Sequence, residues 1–204
     1  MTSLKAEAFI PGTPPVASLP ACVLTDLTER ARVGFRGHDS VAYLEARGYR
    51  LPAAPNQALR QHDGTWVARL SATEYLLLGS CTDEGARVAA EEHDWVQDAR
   101  RNYLLPRQDS HAWLQLSGER CSAVMAKVCG VDLRTRAFPL GAVAQTSAAR
   151  INVIVVSVGT EQQPTLQVLF DRASLAYFQD AVLDAMAEFG GGWARQNPVR
   201  PDEP

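Results

Sequence analysis

The chain has 204 residues, 46% of them hydrophobic and 21% charged, and a formal net charge of −3 at neutral pH. That is the make-up of a folded globular protein with ample core, and so small an acidic excess leaves no electrostatic footprint for nucleic acid. The longest apolar run, Ile151 to Val158, is interrupted by Asn152, which excludes a membrane span.

In chain order, Pro11, Pro14, Pro15 and Pro20 make residues 1–25 an extended arm. This stretch lacks the apolar segment of a secretory signal, which points to the cytoplasm. "RVGFRG" (32–37) then alternates like a strand. "HDSVAYLEARG" reads as a short helix, with Asp39 or Ser40 as N-cap, Val41 and Leu44 facing inward and Gly48 closing it. Past Pro52 and Pro55, Gly64 opens the strand "TWVARL". The strand "EYLLLG" (74–79) and a weaker helix from Asp83 to Trp95 complete a first half, about 31–98.

A second half, about 111–190, runs in similar order: "AWLQLSG" (112–118), the helix "ERCSAVMAKVCG" closed by Gly130, then Pro139, Gly141 and "AVAQT". It adds the β-branched strand "RINVIVVSV" with a turn near Gly159, then "TLQVLF" (165–170). Its last helix spans Arg172 to Phe189, with Leu175, Phe178, Val182 and Met186 on one face and Gly190 as the stop. The expected fold is α+β: one domain over 26–190, made of two pseudo-repeated βαββα halves with antiparallel sheets. Gly37 then matches Gly118, and Gly64 matches Gly141. Residues 191–204 form a second arm. Phe9, Ile10, Val16, Leu19, Trp193 and Val199 would leave apolar surface in water on lone tails, so the arms read as docking elements or as segments folded back on the domain.

The chemistry is quiet. Cys22, Cys81, Cys121 and Cys129 form no CxxC pair and are expected to be reduced. Cys121 and Cys129 fall in one predicted helix, roughly 12 Å apart along its axis, and share an apolar stripe with Met125 and Val128. His38-Asp39, His62-Asp63 and His93-Asp94 read as caps and turns, because a metal site needs several converging ligands. The "GHDS" run at 37–40 cannot form a triad from sequence neighbours. Ser117-Gly118-Glu119, between a strand and a helix, offers amides that could bind an anion. Trp66, Trp95 and Trp113 read as core, and Arg134 and Arg136 as surface. No nucleotide-binding, hydrolase or zinc-protease motif occurs. No catalytic, cofactor-binding or metal-binding residue is assigned.

"DLTERARVGFRGHDSVAYLEARG" (26–48), "DGTWVARLSATEYLLLG" (63–79), "VDLRTRAFPLGAVAQT" (131–146) and "LQVLFDRASLAYFQDAVLDA" (166–185) resemble the gamma-subunit family of bacterial heterotetrameric sarcosine oxidases. The strand–Gly–helix pattern is shared with the wider folate-binding aminomethyltransferase superfamily, which includes the glycine-cleavage T-protein. The resemblance covers about 26–190 and implies a T-protein-like fold in a non-catalytic subunit. It implies a cytoplasmic complex with alpha, beta and delta subunits, which bind FAD, FMN, NAD and tetrahydrofolate. That complex oxidises sarcosine to glycine and hydrogen peroxide and passes the one-carbon unit to tetrahydrofolate. T-protein relatives carry an acidic pair in the strand matching Gly64–Leu70; here it falls near Ala68-Arg69, neither a carboxylate. "VDLRTRAFPLGAVAQT" then reads as a helix-to-strand joint. Two other readings remain: a free-standing folate-dependent one-carbon transferase, with Asp63 or Glu74 replacing the lost acid, and a partner-binding module on the same fold.

Overall fold

The computed structural model describes residues 21–194. The first half of the chain runs β1 (Val23–Asp26), β2 (Arg32–Arg36), α1 (Ser40–Ala46), β3 (Gln57–Arg60), β4 (Trp66–Arg69), β5 (Glu74–Leu78) and α2 (Ala86–His93). The second runs β6 (Tyr103–Leu105), the single turn α3 (Arg107–Ser110), β7 (His111–Ser117), α4 (Cys121–Ala126), β8 (Val143–Ala148), β9 (Ile151–Ser157), β10 (Thr165–Asp171), α5 (Leu175–Ala187) and β11 (Gly192–Trp193).

The strands form two sheets, ordered β3-β4-β5-β2-β6 and β8-β9-β10-β7-β1-β11. All pairings are antiparallel except β1 with β11. The sheets pack face to face through Ala58, Ala68, Leu76 and Leu78 on one side and Trp113, Val143, Val156 and Leu169 on the other. The outer face of the first sheet is covered by α1 and α2, through Tyr43, Leu44 and Val88. That of the second is covered by α4 and α5, through Val124, Phe178, Val182 and Met186. The result is four layers, α/β/β/α, each strand alternating between two cores.

The two halves exchange strands. β1 precedes β2 in the chain but pairs with β7; β6 precedes β7 but pairs with β2. A glycine marks each crossing. Gly37 follows β2 at φ +150°, and a Cβ there would overlap the Arg101 carbonyl oxygen ahead of β6. Gly118 follows β7 at φ +119°, with a Cβ position 2.5 Å from the Ala21 oxygen ahead of β1. Only a residue without a side chain fits either close approach.

Several expectations change. The first half holds one strand more than βαββα because β3 was not foreseen: Pro55 precedes it and, of its four residues, only Ala58 is buried; in the second half the added strand is the expected β-branched β9. Gly64 therefore lies in the β3–β4 turn, whereas Gly141 precedes β8, and the two do not correspond. Asp39 does not cap α1; its carboxylate accepts from the Arg101 amide at 2.7 Å, and Ser40 Oγ donates to Asn102 at 2.8 Å, both holding the approach to β6. Tyr43 joins Leu44 inside, while Val41 is half-buried. The helix α4 stops at Ala126, so Cys129 is not on it. The chain leaves the helix because Val128 O accepts from Ala149 N (2.8 Å) and Cys129 bridges Ala148 on β8. Both cysteines are still buried in one core. The last helix begins at Leu175, after a 3-10 turn over Arg172–Ser174 capped by Asp171. The arms also lose residues to the sheet: three of the four residues of β1 fall within 1–25, with Cys22 and Leu24 buried, and Trp193 pairs with Leu24 through β11. Phe9, Ile10, Val16, Leu19 and Val199 lie outside the described residues.

Candidate functional site

Strand alternation decides what stands at positions 68 and 69. Ala68 points between the sheets, fully buried beside Leu76, Trp113 and Val156. Arg69 points the other way and donates to the carbonyl oxygens of Pro52 (3.3 Å), Ala53 (2.8 Å), Ser71 (3.3 Å) and Ala72 (3.1 Å). Core packing and a loop-tying guanidinium occupy the two positions.

The two substitute acids are both engaged. Asp63, in the β3–β4 turn, accepts from Thr65 N at 3.0 Å and from Arg87 at 2.6 Å. Burial raises its pKa, but the Arg87 and Thr65 hydrogen bonds outweigh this and hold it below the usual carboxylate range. Glu74 accepts from Arg107 at 2.5 Å and lies 3.8 Å from Arg36. The three His-Asp pairs sit at the start of α1, in the β3–β4 turn and at the end of α2, and do not converge. Among the described residues, no three His, Cys, Asp or Glu side chains could hold a metal. The amides near Gly118 are already used: Gly118 N donates to Pro164 O (3.0 Å) and Arg120 N to Ala21 O (3.2 Å).

The segment from Val131 to Thr146 is anchored by buried Leu133 and Phe138, with an exposed Asp132–Arg134 pair at its turn. Its glycine joins the sheets: Gly141 O accepts from Ala58 N at 2.7 Å, and Asn56 O accepts from Val143 N at 3.0 Å. With Gly141 at φ +80°, a Cβ would stand 2.6 Å from the Ala58 oxygen, so the close approach requires glycine. The joint thus sutures β3 to β8.

A groove of about 780 Å³ that sequence reasoning missed opens beside β8, β9 and β10, with His111, Arg150 and Asp171 on its walls. Arg107 donates to His111 Nε2 at 3.2 Å, and Ser110 Oγ, itself donating to Pro106 O, lies 2.8 Å from Nδ1. The imidazole is therefore neutral, with its proton on Nδ1. Burial, then the charges of Arg107 and Arg32, push its pKa down to about 4. Below pH 6.5 the unfolded chain takes up a proton that the folded chain refuses. Stability contributed by His111 is thus complete above pH 6.5 and lost as pH falls through about 4. We expect a loss of about 2 kcal/mol across that window in urea titrations, after allowance for partial exposure. His111→Gln should flatten the slope there; an unchanged slope would place the titration elsewhere.

No protein-family model matches the chain. Sarcosine oxidase subunit gamma of Corynebacterium sp. (strain U-96) is 30% identical over 197 residues, spanning 93% of this chain and 88% of that protein. The chain belongs to the sarcosine oxidase gamma-subunit family. A gamma subunit from Arthrobacter sp. is 28% identical over 190 residues, with 90% of this chain and 87% of that one covered. Among solved structures, the heterotetrameric sarcosine oxidase from Corynebacterium sp. U-96 in complex with pyrrole 2-carboxylate contains a chain with TM-score 0.67 and 26% identity, matched over 86% of this chain and 88% of that one. The glycine cleavage system aminomethyltransferase T of Bartonella henselae gives TM-score 0.61 at 13% identity, over 86% of this chain and 48% of that one. At that identity the likeness is one of fold: the gamma-family chain has a T-protein-like α+β architecture. Among its described residues, no helix is long and apolar enough to cross a membrane.

Proposed function

We propose that this chain is a non-catalytic gamma subunit of a cytoplasmic heterotetrameric sarcosine oxidase, assembled with alpha, beta and delta subunits. The complex oxidises sarcosine to glycine with release of hydrogen peroxide, and passes the one-carbon unit to tetrahydrofolate. FAD, FMN, NAD and tetrahydrofolate are held by the partner subunits, and this chain supplies no catalytic, cofactor-binding or metal-binding residue. Its two halves are pseudo-repeats of a βαβββα unit, and the arm residues outside 21–194 dock on the partners.

The reading is carried by identity to a gamma subunit across 93% of the chain. The closed site at Ala68 and Arg69 supports it. Purified alone, the chain is expected to be colourless and to give no calorimetric heat with tetrahydrofolate. Co-expressed with the partner subunits, it should be recovered in a yellow complex. A yellow isolated chain, or heat and turnover with tetrahydrofolate, would favour a free-standing transferase and overturn this reading.

A further inference from the structure

A second cleft, of about 290 Å³, opens between the two sheets at the end away from His111, with Trp66 and Trp113 among its walls. Its wall carries a directed hydrogen-bond relay. Trp113 Nε1–H can only donate, and it donates to Gln167 Oε1. The Gln167 amide is thereby oriented, and its Nε2 donates to Gln115 Oε1 at 2.8 Å. Half-buried Gln115 ends this relay, and its Nε2 is a donor with no acceptor among the described residues.

Arg30 and Arg60 line the same cleft, and among the described residues no Asp or Glu does. Among the described residues neither arginine has a carboxylate within ion-pair distance. Arg30 is half-buried; one of its terminal nitrogens donates to Ser80 O at 2.9 Å, while its Nε is buried and unbonded. A half-buried guanidinium without a counter-charge is unfavourable, and an incoming anion supplies one.

We propose that this cleft is a carboxylate-binding site, in which Arg30, Arg60 and Gln115 donate to one planar anion beside the tryptophans. A carboxylate matches the guanidinium fork in two-point geometry and brings acceptors only. It comes either from a small aromatic or aliphatic acid or from an Asp or Glu side chain of a partner subunit.

The test uses the full chain, with benzoate as probe and benzamide as its neutral counterpart, read by tryptophan fluorescence. For a free acid, benzoate gives a saturable change and benzamide none. Arg60→Gln weakens binding at least tenfold, and Gln115→Glu abolishes it, with melting curves unchanged. For a partner's side chain, benzoate gives no saturable change, while Gln115→Glu and Arg60→Gln sharply reduce recovery with the co-expressed subunits. These variants avoid Arg30, whose loss would also free Ser80 O. Equal responses to benzoate and benzamide would overturn the proposal, as would no response together with undiminished recovery. If the parent chain recovers no partner, the sarcosine oxidase reading fails separately, and the fluorescence arm alone decides the cleft.

Discussion

Arg32→Ala is expected to cost about 4 kcal/mol of unfolding free energy, among the largest effects of any single substitution in the chain. Arg32 is 1% exposed at the start of β2. Its guanidinium donates to the carbonyl oxygens of Thr28 (2.7 Å), Arg30 (2.8 Å), Gln108 (3.0 Å) and His111. The first two lie in the β1–β2 loop, the others at α3 and the start of β7, so one side chain ties both halves together. Burial, then the nearby charge of Arg172, lowers its pKa to about 10, which still leaves it cationic at neutral pH. Each carbonyl left buried without a donor costs about 1–3 kcal/mol, less where water can enter the space. Arg32→Met keeps much of the volume but none of the donors, and should fall nearly as far. Urea denaturation is the measurement; a midpoint equal to that of the parent protein would mean the carbonyls do not depend on this guanidinium.

Gly37→Ala should cost a similar amount, about 3–4 kcal/mol. The residue sits at φ +150°, and the new methyl would meet the Arg101 backbone, which cannot swing aside as a side chain would. Relief requires moving the approach to β6, which Asp39 and Ser40 hold in place. Gly190 is the control. Its φ is +64° but nothing lies within 4 Å of a Cβ there, so Gly190→Ala should cost only about 1–2 kcal/mol, the left-handed backbone term alone. Equal losses at both positions would show that conformation, not the close approach, sets the cost at Gly37.

The elements read most easily were those with a local signal. β9 is β-branched and buried along most of its length, and α5 repeats Phe178, Val182 and Met186 at helical spacing above a glycine stop. β1, β3 and β6 were missed because each has only three or four residues and is defined by a partner distant in sequence. Helix α4 was read too long for the same reason: its end is set by contacts to Val128 and Cys129 from β8 and the turn after it, which no local pattern announces. At the candidate site, that neither Ala68 nor Arg69 is a carboxylate was plain from residue identity. The Trp113–Gln167–Gln115 relay was not, since it joins two strands some fifty residues apart in sequence. Only the spacing of Trp113 and Gln115 on alternate positions of one strand hinted at a shared face.

The exchange of β1 and β6 makes the molecule behave like a clasp. The stretch between α2 and β6 is mostly exposed, with Val96 at 77%. Hydrolysis of the Val96–Gln97 bond would nevertheless not release two domains. The N-terminal piece would keep β1 gripped by β7, and the C-terminal piece would keep β6 gripped by β2. To part, the pieces must surrender a strand from each sheet and expose the core between them. A nicked chain should therefore travel through gel filtration as one particle and separate only in denaturant. Neither half is a unit that folding, or a protease, can treat alone.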